Sequence, residues 1–296
     1  MQAGSSLPGA YDARSICRGV IVKFEMTELG KALGGSNEPY LNKPARYPEL
    51  SKSNAVRRGR DQDILNALCD NLPSINTAEE AYDGLIYALH KLLNVKSEKE
   101  KLTSFSISAL DGNAEMLYRF MNSLFSESYE GETLVLAIAG LYELYMRSIY
   151  EEYVVEVHPV NQSGASSKEV SDLDIYKNGI LFITNELKDK PFTDNDIIHA
   201  ADKVINAGKT QMHFVVGRRG AFDSEQIRDC VSKYLDKGFL INVVPVDCFA
   251  LTLLNLIGNV DVDYYVKYIL KTALETKFKE ETIKYIRKMA NKHFNV

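Results

Sequence analysis

The stretch SDLDIYKNGILFITNELK, residues 171–188, decides the fold class. Two runs rich in β-branched and aromatic residues flank Lys177, Asn178 and Gly179, and Asn-Gly between such runs predicts a β-hairpin. A two-residue loop would mix acidic and apolar side chains on both faces, whereas a three-residue loop ending at Gly179 with positive φ separates them. We therefore predict a three-residue loop.

This register divides the hairpin into an apolar face and an acidic face. The apolar face holds Leu173, Ile175, Leu181, Ile183 and Leu187. The acidic face holds Asp172, Asp174, Tyr176, Phe182, Thr184, Glu186 and Lys188. Because like charges repel, carboxylates gathered beside a lysine indicate a bound cation, and Mg²⁺ prefers oxygen ligands of this kind. The alternative is an exposed hairpin whose outer face is merely polar and joined by ion pairs.

The distance along the strands favours one aspartate over the other. Asp172 lies across from Glu186 or one same-face step away, whereas Asp174 lies one or two steps further, roughly 7–13 Å from it. We expect Asp172 to be the metal ligand and Asp174 to have a supporting or structural role. Glu143 and Glu151, on the helix before the sheet, are considered as further acids near the metal, with solvent exposure as the alternative.

The surrounding segments predict an α/β core with helices at both ends. Helices are predicted at residues 61–71, 77–94, 113–125, 133–153, 191–208 and 224–237, with one or two more at 262–293. Thr77 and Glu80 form a predicted capping box, and Thr193 or Asp194 is the predicted N-cap of the helix that ends at Gly208. Strands are predicted at residues 153–160, 169–176, 180–188, 210–217 and 239–246.

The composition is that of an ordinary globular protein, with 45% hydrophobic residues and a net charge of −5. The four cysteines are scattered singly, and the sequence has neither a secretion signal nor an apolar run of membrane-spanning length. We expect a cytoplasmic protein that does not enter a membrane.

The segment between Leu41 and Arg60 is strongly basic although the whole chain is acidic, which suits a binding role; the alternative is a solvated surface. Its basic residues are Lys43, Arg46, Lys52, Arg57, Arg58 and Arg60.

The hairpin resembles the PD-(D/E)xK nuclease superfamily through Ser171-Asp172-Leu173-x-Ile175 and Glu186-Leu187-Lys188. Ser171 stands where that family usually has proline, a departure that costs little. The resemblance implies a central mixed sheet flanked by helices and a catalytic set of Asp172, Glu186 and Lys188. It also implies Mg²⁺ held by the two carboxylates and the backbone carbonyl of Leu187.

A longer resemblance runs through YDARSICRGVIVKF, LGGSNEPYLNKPARYPELS, NAVRRGRD and ELKDKPFT. These stretches are similar to type II restriction endonucleases of the SacI kind. This implies sequence-specific cleavage of double-stranded DNA at a short palindrome, and a separate DNA methyltransferase that protects the host. The alternatives are a repair or junction-resolving nuclease with the same core, and a catalytically inactive DNA-binding module.

We expect three regions within one compact unit: a mainly helical, DNA-contacting part at residues 1–132, the nuclease core at 133–250, and C-terminal helices at 251–296 packed on the core. In the first region, the basic residues between Leu41 and Arg60, with Asn37, Asn42 and Asn54, suit contact with phosphates and base edges. One site cuts one strand, so we also expect a homodimer. Its contact is expected at the helices from Val262 onward or around Tyr82 to Leu93.

Overall fold

The computed structural model describes residues 12–29, 47–54, 59–104, 107, 113–150, 152–159 and 169–294. The chain divides into two compact units, Met1–Lys101 and Leu102–Val296. The boundary expected at residues 132 and 133 lies inside the second unit.

The described part of the first unit is mainly helical. Its elements are α1 (Ala13–Ile16), a π-helical turn (Cys17–Ile21), α2 (Val22–Thr27), α3 (Arg60–Asn71), a 3₁₀ turn (Leu72–Ser74) and α4 (Ala78–Thr103), which ends just beyond the unit boundary. The predicted capping box at the start of α4 is confirmed, because the Glu80 N–H donates to Thr77 Oγ1 and the Thr77 N–H donates to the Glu80 carboxylate, both at 3.1 Å. The helix continues nine residues beyond its predicted end at residue 94.

A mixed sheet forms the centre of the second unit, which confirms the predicted α/β class. In the described ranges its strands are β1 (Tyr153–Val157), β2 (Leu173–Lys177), β3 (Ile180–Lys188), β4 (Gln211–Val216) and β5 (Leu240–Pro245). They lie in the order β1-β2-β3-β4-β5. β1 pairs with β2, and β2 with β3, in antiparallel orientation, whereas β3 pairs with β4, and β4 with β5, in parallel orientation. All five predicted strands are present, but β2 begins at Leu173, so Asp172 precedes it.

Helices cover both faces of this sheet. They are α5 (Ala114–Ser126), α6 (Glu132–Ile149), α7 (Asp194–Asn206), α8 (Ser224–Leu235), α9 (Val246–Leu256), α10 (Val262–Glu275) and α11 (Glu280–Phe294). Residues of α6, α9 and α10 form one core with Leu173, Ile175 and Leu187. Residues of α7 and α8 form a second core with Met212, Phe214 and Val216 on the opposite face. Each fully buried aliphatic or aromatic side chain here contributes about 2 kcal/mol.

Two helices of the second unit, α5 and α9, were not anticipated in their place or in their existence. α5 packs against α6 and α11, so residues 114–126 belong to the same unit as the sheet. α9 was not predicted, because its apolar sequence continues directly from the run that forms β5. The C-terminal segment forms two helices, α10 and α11.

Among the described helices, none is both long enough and apolar enough to cross a membrane.

The prediction of a three-residue hairpin loop is wrong. Lys177 pairs with Ile180, which leaves a two-residue turn of Asn178 and Gly179 with φ of 51° and 72°. Positive φ at both central residues is the type I′ geometry, whose twist matches that of the flanking strands.

A one-residue bulge then compensates for the shorter loop. Tyr176 pairs with Leu181, but Ile175 pairs with Ile183, so Phe182 is the extra residue of β3. Beyond the bulge Asp174 pairs with Thr184, and the predicted separation of acidic and apolar faces is confirmed there. Closer to the turn the two faces are not separated as predicted, because Leu181, expected on the apolar face, lies on the same face as its partner Tyr176.

Candidate active site

Two carboxylates meet where β2 and β3 pair. Leu173 pairs with Asn185, so Asp172, one residue earlier, lies across from Glu186. The Oδ2 atom of Asp172 accepts a 3.0 Å hydrogen bond from the backbone N–H of Leu187. The Asp172 carbonyl also accepts from the His158 N–H at 3.0 Å, which fixes the backbone where β2 begins. The structure therefore brings the predicted pair Asp172 and Glu186 together.

These carboxylates line a pocket at the carboxyl end of β3. Its volume is about 450 Å³, and Lys188 lines it together with the two acids. The turn before α6, with Ser128 and Gly131, also lines it. A pocket of this size admits a phosphate group with its surrounding water.

The electrostatics of the pair are unfavourable without a cation. Burial and the neighbouring charge of Asp172 raise the pKa of Glu186 to about 8. Burial also raises the pKa of Asp172, although the Leu187 N–H and the positive charges of Lys188 and Lys203 act in the opposite direction. A divalent cation between the two groups would remove this repulsion.

Few side chains at this site could bind a metal ion. Among the described residues, no cluster of three or more His, Cys, Asp or Glu side chains is arranged to hold a metal. An ion bound here would therefore have two carboxylates and would complete its shell with backbone oxygen and water. Mg²⁺ accepts such a shell because it keeps several of its waters.

Lys188 lies between carboxylates of two different elements. Its Nζ atom is 3.8 Å from Oε1 of Glu186 and 3.0 Å from Oδ1 of Asp196 in the first turn of α7. The Lys188 and Glu186 side chains are 17% and 16% exposed, so both are recessed but reachable from solvent. The lysine of the predicted catalytic set is thus beside the acidic pair.

The backbone after Lys188 is held by the end of β4. The Gly217 N–H donates to the Lys188 carbonyl at 2.8 Å, and Oδ1 of Asp189 accepts from the Arg219 N–H at 3.0 Å. A Cβ atom on Gly217 would lie 2.2 Å from Oδ1 of Asp189, so this close approach requires glycine. The end of β3 is therefore a rigid support for the pocket.

Asp174 lies on the acidic face but is fully buried and already bonded. Its carboxylate accepts from Ser171 Oγ at 2.6 Å, from the Val170 and Ser171 N–H groups at 3.2 and 3.3 Å, and contacts His158 Nε2 at 3.1 Å. These partners occupy both carboxylate oxygens. This placement suits a structural role for Asp174.

The structure does not bring Glu143 to this site. Glu143 accepts hydrogen bonds from the hydroxyls of Tyr153 at 2.9 Å and Tyr264 at 2.6 Å. It belongs to α6, which covers the apolar face of the hairpin, where the Tyr142 hydroxyl bonds Asn185.

Several of the other candidates lie outside the described residues. They are Glu151, Asn37, Asn42, Lys43, Arg46, Arg57 and Arg58. Arg60 is described as the exposed first residue of α3, in the first unit. Asn54, by contrast, is buried, and its Oδ1 atom accepts a 2.9 Å hydrogen bond from the Ser51 N–H, so the expectation that its amide is presented to DNA is wrong. The DNA-contacting role of this segment stays a prediction.

Two contacts of the site were not predicted. Asp196 is the N3 residue of a capping box with Thr193, a signal present in the segment TDND at residues 193–196, but only the fold places it beside Lys188. His158 has no metal-ligand spacing in the sequence, and its partner Asp174 is 16 residues away.

Comparison with known families identifies both parts of the chain. The family model for the SacI restriction endonuclease N-terminal domain matches residues 1–96, and that for the SacI restriction endonuclease C-terminal domain matches residues 110–218. The second match contains Asp172, Glu186 and Lys188. A search of curated proteins found no match. Because the two domain matches together span most of the sequence, the chain belongs to the SacI restriction endonuclease family.

Proposed function

We propose that the protein is a type II restriction endonuclease that hydrolyses phosphodiester bonds in double-stranded DNA at a specific short sequence and requires Mg²⁺. One observation carries this proposal: Asp172, Glu186 and Lys188 line a single pocket in a chain of a restriction endonuclease family. The alternative from the sequence, an exposed hairpin with a merely polar outer face, does not explain why Asp172 and Glu186 line the same pocket.

The residues present fit Mg²⁺. Asp172, Glu186 and the backbone carbonyl of Leu187 would hold the ion. The raised pKa of Glu186 supports this, because burial beside Asp172 makes its charged form costly until a cation is present. When bound, the ion would stabilise negative charge on the phosphate and lower the pKa of an attacking water.

Each side chain of the set then has a separate task. Asp172, held by the Leu187 N–H, presents its carboxylate to the pocket. Lys188 places its amine beside the acids, where it can orient the attacking water or stabilise charge that develops on the phosphate oxygen.

Binding of DNA is proposed for the basic segment between Leu41 and Arg60. Its lysines and arginines would neutralise phosphates, and Asn37 and Asn42 would reach base edges. Loss of charge at Arg57 or Arg58 would then weaken binding and flatten its salt dependence. A DNA methyltransferase of the same system would protect the host sequence without forming a stable complex.

The experiment that tests this function is incubation of the purified protein with a long sequenced DNA, with Mg²⁺ or with EDTA, followed by mapping of every cut end. We expect discrete ends that share one short sequence and appear only with Mg²⁺. Lys188→Ala is the control for a contaminating nuclease. Cuts at branched junctions instead of at one sequence would indicate a junction-resolving enzyme. Intact DNA that is nevertheless bound would indicate a DNA-binding module.

A further inference from the structure

We infer that Asp196 is a positioning residue for Lys188, so that the first turn of α7 fixes the ammonium group of the active site. This inference rests on the proposed function, because it assigns a task within the same reaction. Asp196 is not one of the three proposed catalytic residues Asp172, Glu186 and Lys188. Among the contacts that the structure describes, Lys188 is the one of the three that Asp196 touches.

The position of the ammonium is defined from two sides. Glu186 Oε1 lies 3.8 Å from Lys188 Nζ, whereas Asp196 Oδ1 lies 3.0 Å from it. Only the shorter distance is that of a charge-assisted hydrogen bond. Asp196 is therefore the direct partner of the amine, and Glu186 is left to face the pocket.

Asp196 is itself fixed by the helix that carries it. Its Oδ2 atom accepts from the Thr193 N–H at 3.0 Å, and its own N–H donates to the Thr193 side chain. One carboxylate thus closes the capping box with one oxygen and holds Lys188 with the other. The positive end of the α7 dipole also favours the charged form of this carboxylate.

This arrangement links a rigid helix to a flexible side chain. A lysine has four rotatable bonds in its stem, and its free amine would sample many positions in a pocket of this size. Since catalysis depends on placement to within about 0.5 Å, a partner anchored in a helix cap reduces that freedom. The loss of the partner should lower turnover more than binding.

The test compares substitutions in the same turn of α7. Asp196→Asn removes the charge that holds Lys188. Asp194→Asn is the matched control, because it removes an equal charge from the same helix end and its Oδ1 bonds the Asn195 N–H and Gln226 instead. Asp196→Glu restores both the charge and a residue that suits the N3 position of a capping box.

We expect Asp196→Asn to lower kcat about 10-fold or more, with KM and thermal stability close to those of Asp194→Asn. Asp196→Glu should recover part of the loss. Amine-specific labelling read by mass spectrometry provides a readout without turnover, and Lys188 should label faster in Asp196→Asn than in Asp194→Asn. Equal kcat and equal labelling in the two Asn variants would overturn the inference. Failure of the proposed function is a separate result, namely wild-type protein that does not cut DNA, in which case the labelling rates still decide whether Asp196 holds Lys188.

Discussion

Asp172 Oδ2 accepts a 3.0 Å hydrogen bond from the backbone N–H of Leu187, the residue that follows Glu186. This bond ties the Asp172 carboxylate to β3 although Asp172 lies before the first residue of β2. It also leaves Asp174, two residues later, to a different set of partners. Two aspartates separated by one residue therefore have different environments and different expected roles.

The first prediction concerns Asp174. Asp174→Ala should lower the free energy of unfolding by about 3 kcal/mol, since it leaves His158 and two backbone N–H groups without their buried acceptor. Urea unfolding measures this loss. Asp172→Ala, which removes a carboxylate that faces the pocket, should cost less stability. If Asp172→Ala lost more stability than Asp174→Ala, the structural role would belong to Asp172 and the prediction would be wrong.

The second prediction concerns pH and Glu186. The folded protein binds the Glu186 proton more tightly than the unfolded chain, because the pKa is raised from 4.5 to about 8. Its contribution to stability is therefore complete below about pH 4.5 and is lost as the pH rises through about 8. In EDTA, wild-type protein should lose on the order of 5 kcal/mol of stability over this range relative to Glu186→Gln.

Thermal unfolding in EDTA at a series of pH values measures the difference between the two proteins. Addition of Mg²⁺ near pH 8 should raise the wild-type melting temperature and have little effect on Glu186→Gln. Parallel pH profiles for the two proteins would contradict the buried, repelled state assigned to Glu186.

The sequence predicted the strands of the sheet and the face that carries the acids, because alternation of side chains sets both. It did not predict how the hairpin closes. A three-residue loop and a two-residue turn followed by a bulge at Phe182 place Asp172 and Glu186 on the same face, so facial separation cannot distinguish them. Likewise, the partnership of Lys188 with Asp196 depends on how α7 packs, which no local pattern contains.

The third prediction concerns the hairpin turn. Gly179→Ala should lower the free energy of unfolding by about 1 kcal/mol, because φ of 72° is unfavourable for a residue with a Cβ atom. Chemical denaturation measures the change. Gly84→Ala, inside α4 with no heavy atom near the new Cβ, is the control and should instead stabilise its helix. An unchanged midpoint for Gly179→Ala would exclude the type I′ turn.

The fourth prediction is the oligomeric state. Each chain has one proposed site for one strand, so two copies related by a twofold axis match the cleavage of both strands of a palindrome. Sedimentation with and without a cognate duplex should show a dimer at least on DNA. A monomer in both conditions that still cuts both strands would indicate sequential nicking by one subunit.

The most direct test of the proposed active site compares the cleavage of one plasmid by wild-type, Asp172→Asn and Asp174→Asn proteins at saturating Mg²⁺, with the folded fraction of each protein verified. We predict that Asp172→Asn loses activity by on the order of 10²-fold or more, while folded Asp174→Asn retains most of it. The structure gives the physical reason, since Asp172 lines the pocket with Glu186, whereas Asp174 is fully buried and bonded to Ser171 and His158. An active Asp172→Asn protein beside an inactive, folded Asp174→Asn protein would contradict the site.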